Sequence, residues 1–170
     1  MQVILKILSC IVLLNVSGIL PPVQLFAQEP PPRPISVFVV PGMGLSFGAF
    51  AQGASGGNVI VSPTGSRSGT GNITLIQMGF TFSPAIYEVE ANTGTLVSIM
   101  NGPDAILTSS NGGSMTLHIG DSYPASPFIA TVTPPGRMQV RIGGTLYVGS
   151  PMANPPGTYN GTFTVTFIQE

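Results

Sequence analysis

Few residues in this chain could do chemistry, and each pattern they form stops short of a complete site. Gly44-Leu45-Ser46-Phe47-Gly48 spells G-x-S-x-G, the spacing of a nucleophile elbow, where a strand-to-helix turn lifts a serine above a parallel sheet. That chemistry needs a histidine base, and the chain has one histidine, His118. Asp104 would complete a Ser46–His118–Asp104 triad on paper. No helical period follows Gly48, however, and Leu45 and Phe47 alternate with Ser46 as on a half-buried strand. Glu88 and Glu90 share one face of a strand, roughly 7 Å apart at their Cα atoms, near the separation of paired carboxylates in glycoside hydrolysis. Sugar clefts commonly also carry tryptophan, and the chain has none, so the pair reads as a solvated face.

The same shortfall holds for metals. One imidazole, His118, cannot hold zinc without further ligands. Asp104 and Asp121 are single carboxylates in loops beside proline or serine, where aspartate caps turns, and one carboxylate per loop is too few for calcium. Asn72-Ile73-Thr74 and Asn160-Gly161-Thr162 are formal glycosylation acceptors, of a kind that threonine-rich β proteins produce by chance. Tyr159, between Gly157 and Gly161, is placed to pin a corner by a hydrogen bond to backbone, or to join a subunit contact. The sequence therefore implies no catalytic, cofactor-binding or metal-binding residue, no cofactor, and no enzyme.

The elements around these residues are clearer. Lys6 precedes an apolar run from Ile7 to Leu20, Pro21-Pro22 ends it, and Leu25-Phe26-Ala27 offers a cleavage site. This is the layout of a secretory signal peptide over residues 1–27, whose 14-residue apolar run is short for a spanning helix. Cys10, the only cysteine, lies inside it. Residues 28–34 read QEPPPRP, an extended proline-rich spacer. Residues 35–170 make one domain of ordinary size. An exported, disulfide-free chain suits a bacterial source, placed in the periplasm, at the cell surface or outside the cell. Lys6 is the only lysine, so the mature chain sets four arginines against six acids. That balance excludes the basic patch nucleic acid requires, and the mature chain has no stable membrane span.

From Ile35 onward, short β-rich runs are separated by Gly, Pro and Asn, with two-residue alternation in 84–91, 114–119, 138–142 and 159–167. In the last, Tyr159, Phe163, Val165 and Phe167 face one way and Thr162, Thr164 and Thr166 the other. Further strands are expected at 35–40, 45–50, 58–62, 72–77, 95–100, 128–133 and 145–148. Gly56-Gly57, Asn111-Gly112-Gly113 and Gly143-Gly144 mark turns or bulges. The fold class is all-β, an antiparallel immunoglobulin-like β-sandwich.

Phrases in fixed order carry a resemblance: LSFG at 45–48, GGNVIVSP at 56–63, GSRSGTGNITL at 65–75, GGSMTL at 112–117, VRIGGTLYVG at 140–149 and GTYNGTFTVTF at 157–167. Together with Ile35-Ser36-Val37 they resemble the DUF4402 family of secreted bacterial proteins. Its members resemble fimbrial pilin subunits in size, export signal and C-terminal strand, although this chain closes on Ile168-Gln169-Glu170 without the expected aromatic. The resemblance implies a non-enzymatic surface protein, pilin-like, that associates with itself or with other surface proteins by strand exchange. The donor would be residues 35–40 on their spacer; the competing reading pairs 35–40 inside its own domain. A second class is an adhesin-type module that binds a glycan or host protein through loops 52–57, 65–71, 121–127 and 151–157.

Overall fold

The computed structural model describes residues 33–77 and 79–170. The expected signal peptide, Cys10 and most of the spacer lie outside them. Thirteen strands follow in order: β1 (Ser36–Val39), β2 (Ser46–Phe47), β3 (Ala49–Val61), β4 (Arg67–Ile76), β5 (Phe82–Ser83), β6 (Ala85–Glu90), β7 (Leu96–Asn101), β8 (Ala105–Ser109), β9 (Ser114–Tyr123), β10 (Phe128–Ile129), β11 (Met138–Val148), β12 (Tyr159–Asn160) and β13 (Val165–Gln169). Every pairing is antiparallel, and there is no helix among the described residues. The antiparallel β-sandwich expected from the alternation is what forms.

Strand β11 is the spine of the larger sheet. Along one side Met138–Ile142 pair with β6 and Gly144–Val148 pair with β3, while β9 runs along the other side. The full order is β1-β6-β11-β9-β8-β12, with the β3–β4 hairpin branching from β11. The smaller sheet is β10-β7-β13, and β2 pairs with β5 alone. Alternation fills the space between the layers: Val59, Val61, Val140, Ile142 and Val97 are the largest fully buried side chains. Across the sandwich the rings of Tyr87 and Phe167 lie 5.5 Å apart, a tilted aromatic pair of the favoured kind.

Several expected elements are redrawn. The runs 138–142 and 145–148 are one strand, with a register shift between Ile142 and Gly144 where a turn or bulge was expected. The closing run is divided. Tyr159–Asn160 pair with β8 in the large sheet and Val165–Gln169 with β7 in the small one, yet Phe163, Val165 and Phe167 still face the core while the threonines are exposed. Residues 52–57 and 65–71 are not loops. They lie almost wholly in β3 and β4, which pair along most of their length. Their Gly, Ser and Thr content imitates a loop, but Gly56 (φ 67°) makes a bulge rather than a turn, and a Cβ there would clash with Val148 O. Asp121 belongs to β9 and not to a loop. Strand β8 has no expected counterpart; a five-residue strand next to Pro103-Asp104 is weak in periodicity and forms because β9 supplies its partner.

Gly48 (φ 66°) kinks the chain between β2 and β3. The Arg67 guanidinium fills the bend, with Nη1 donating to Phe47 O at 2.8 Å and Ala49 O at 3.2 Å, and Nη2 to Ile76 O at 3.0 Å. The same group stacks on Phe82 at 4.6 Å. Because β2 is drawn off to β5, the 45–50 segment does not extend the sheet edge that begins at β1.

Candidate functional site

The segment before β1, strand β6 and the loop before β11 bring four charges beside the first strand. Strand β1 pairs on one side only, Ser36 opposite Glu90 and Val39 opposite Tyr87, so it forms the edge of the large sheet. In the folded chain, then, 35–40 pairs inside its own domain. Burial contributes little to its hold: Val39 is 71% exposed and Val37 39%. Arg33 Nη2 meets Glu90 Oε1 at 2.8 Å. Arg137 donates from Nη1 to Glu88 Oε2 at 3.1 Å and lies with Nε 3.8 Å from Glu90 Oε2. The Arg137 guanidinium also covers the Phe38 ring at 3.6 Å, a cation–π contact. Two of the four arginines and two of the six acids are thus spent on one edge strand. Glu88 and Glu90 do share a face as expected, but as the acid half of a charge clasp, with the Glu90 side chain only 11% exposed. At the start of the strand, Ile35 N–H donates to Gln169 Oε1 at 3.1 Å.

The paper triad comes together in part. His118 Nδ1 lies 2.7 Å from Asp104 Oδ1, with both side chains more than half exposed. Ser46 is elsewhere. Its hydroxyl donates to Thr81 O at 2.9 Å, and its neighbour Leu45 packs on the core, reaching the Gly144 position, whereas His118 projects from the outer face. Among the described residues no group of three metal-ligating side chains forms.

Tyr159 does what its position suggested. Its hydroxyl donates to Pro155 O at 2.8 Å and lies 3.4 Å from Gly112 O. The 151–157 loop is held further by Asn154, 3% exposed, which accepts from Gly149 N–H and donates to Ser114 O. Nothing in the sequence analysis singled out Asn154; an Asn before Pro155-Pro156 was the available signal. Nor did it single out Tyr147, which stands 45% exposed on the outer face of the large sheet. Beside Tyr147 is a shallow depression of about 450 Å³, lined by Asn58, Ser114, Thr116 and Asn154 among others. The lining is neutral and hydroxyl-rich. Asn72 and Asn160, the formal acceptors, are both exposed.

Among the described residues, Tyr87 has its titration displaced. It lies half-buried beneath β1 and against Phe167, and burial pushes its phenol above the ordinary value of 10. Among the described residues no helix is long and apolar enough to cross a membrane.

A family model described as "Domain of unknown function (DUF4402)" matches residues 39–168, and the chain belongs to that family. Neither the curated proteins nor the solved structures yield a match.

Proposed function

We propose that this member of the DUF4402 family is an exported, non-enzymatic structural subunit of the bacterial surface, pilin-like in that copies assemble by exchanging β1. One observation carries the reading: β1 is an edge strand with largely exposed apolar side chains, held beside its backbone ladder by the Arg33–Glu90 ion pair and the Arg137–Phe38 contact. A strand whose apolar side chains are largely outside the core leaves and re-enters at low cost, and a neighbouring copy can offer the same backbone register and the same Arg33 and Phe38. Exchange of an identical element trades equal contacts for equal contacts, so little free energy opposes it. Export rests on Lys6, the apolar run and Leu25-Phe26-Ala27. Main-chain bonds then supply affinity and the clasp supplies orientation.

The test is the protein from its own cell envelope, run on a denaturing gel with and without boiling. Exchange predicts a heat-sensitive ladder of multiples; one band at the mature size opposes it. Deleting 28–40 gives the second reading of the same claim, leaving a folded acceptor if β1 is exchangeable and a damaged monomer if it is integral.

Tyr147 favours one alternative, an adhesin-type module for a glycan. With 52–57 and 65–71 taken up by strands, the binding surface would be the outer sheet face around Tyr147, Asn58 and Thr116, and not those loops. Tyr147→Ala abolishing retention on immobilised neutral glycans supports that alternative; unchanged or absent retention removes it.

A further inference from the structure

Strand β13 is the outermost strand of the small sheet. Gly102 N–H donates to Thr164 O at 2.9 Å and Glu170 N–H to Leu96 O at 3.0 Å. Antiparallel ladders alternate, so Thr164, Thr166, Ile168 and Glu170 address β7. The N–H and C=O groups of Phe163, Val165 and Phe167 therefore point to the free edge, and among the described residues they meet no backbone partner. Natural sheets guard such edges with lysine, proline or a bulge, and residues 161–169 contain neither lysine nor proline and no other charged residue. The outer face beside this edge carries exposed apolar side chains, Met100 56%, Ile129 58%, Ile168 40% and Leu96 38%, among Thr164, Thr166 and Ser98.

The sequence of the edge says what fits it. Phe163-Thr164-Val165-Thr166-Phe167 reads the same in both directions. We infer that β13 is a self-recognition edge, on which two copies of this chain pair β13 to β13, antiparallel, about a two-fold axis through Val165. In that register Val165 meets Val165, each Phe163 lies opposite Phe167 of the other copy, and each Thr164 opposite Thr166. The phase is also right, because the residues whose N–H and C=O point outward are Phe163, Val165 and Phe167, the ones the register sets opposite one another. Aromatic and threonine cross-strand pairs of this kind are favourable. Within residues 161–170 the one charge is Glu170, at the end of the strand, so in the antiparallel register the two carboxylates stand at opposite ends and do not meet. A symmetric pairing of this type closes a dimer, and it is separate from exchange of β1, which belongs to the other sheet.

Sedimentation velocity of the purified protein over a concentration series tests the inference. Wild type forms a reversible dimer. Val165→Pro removes an outward N–H without touching the β7 ladder and yields monomer with an unchanged far-ultraviolet circular dichroism spectrum. Thr164→Lys with Thr166→Lys sets like charges opposite each other twice and weakens the dimer roughly tenfold or more. Thr164→Lys with Thr166→Glu sets unlike charges opposite and restores it, which only this register predicts. Should Val165→Pro unfold the chain, the two exposed threonine variants decide alone. A wild type that stays monomeric at millimolar concentration overturns the inference, as does equal association of the two threonine variants. A boiling-sensitive ladder that survives Val165→Pro belongs to β1 and leaves the β13 result to stand by itself.

Discussion

The two edge strands β1 and β13 are held in opposite ways. Strand β1 is held at its surface by the Arg33–Glu90 ion pair just ahead of it and by the Arg137 guanidinium over its Phe38 ring, but contributes little to the core. Strand β13 carries no charge before Glu170 and sends Val165 and Phe167 toward the core, where Phe167 meets Tyr87. The first is fastened at its surface and the second at its base. A surface fastening of ion pairs is reversible and specific but weak, which suits a strand that must leave. An apolar base makes a strand permanent and leaves only its unpaired backbone for a partner. Tyr87 lies under both, pairing with Val39 and packing on Phe167.

The contrast is broken most forcefully at the aromatic side chains. Phe167→Ala should lower unfolding free energy by about 2–4 kcal/mol, the half-buried end of the large-to-small range. Phe38→Ala should cost only about 1 kcal/mol, the loss of an exposed cation–π contact and some edge packing. Urea titrations of both variants check this, and equal costs would mean that β1 is as much a part of the core as β13.

How much of this was legible in the sequence varies by residue. The alternation from Tyr159 to Phe167 gave the correct faces even though the chain changes sheets midway, because the side-chain period of two persists through the crossing. Parts of β3 and β4 were visible as the expected strands 58–62 and 72–77, but their full length was hidden, since Gly, Ser and Thr in Gly53–Gly57 and Gly65–Gly71 look the same in a loop and in a bulged two-stranded ladder. The clasp was visible only as separate letters. Glu88 and Glu90 were seen to share a face, but nothing local says that Arg33, Phe38 and Arg137 arrive there, because β6 receives them through pairings on both of its sides. The palindrome around Val165 stood in plain view, and acquires meaning once β13 is known to be an edge.

Smaller effects sharpen the comparison further. Arg137→Ala should destabilise by about 0.5–1 kcal/mol, the value of exposed pairs plus one ring contact. Raising salt to about 1 M should shrink that difference, since the Debye length falls to about 3 Å, while leaving the Phe167→Ala cost nearly unchanged. A salt-insensitive Arg137→Ala would assign β1 to packing. Smallest is an alkaline effect at Tyr87. Burial raises its folded pKa above the unfolded value of 10, so its contribution is fully present below pH 10 and is lost as pH rises through the folded value. Stability of the wild type should therefore fall above pH 10 more steeply than that of Tyr87→Phe. Spectrophotometric titration of tyrosinate should show one late-titrating phenol that the variant lacks; identical curves would place Tyr87 in water.

Exchange of β1 is tested most directly by a covalent trap. Val39 and Tyr87 are opposite one another across the β1–β6 ladder and lie outside the charged contacts, and the expected mature chain is free of cysteine, so Val39→Cys with Tyr87→Cys introduces one reporter pair. Oxidised in the native envelope and run without reductant, assembled protein should give a ladder of covalent multiples, because β1 of one copy lies on β6 of the next. A single oxidised monomer band, with its cross-link inside one chain, would contradict strand exchange and leave β1 as an ordinary first strand.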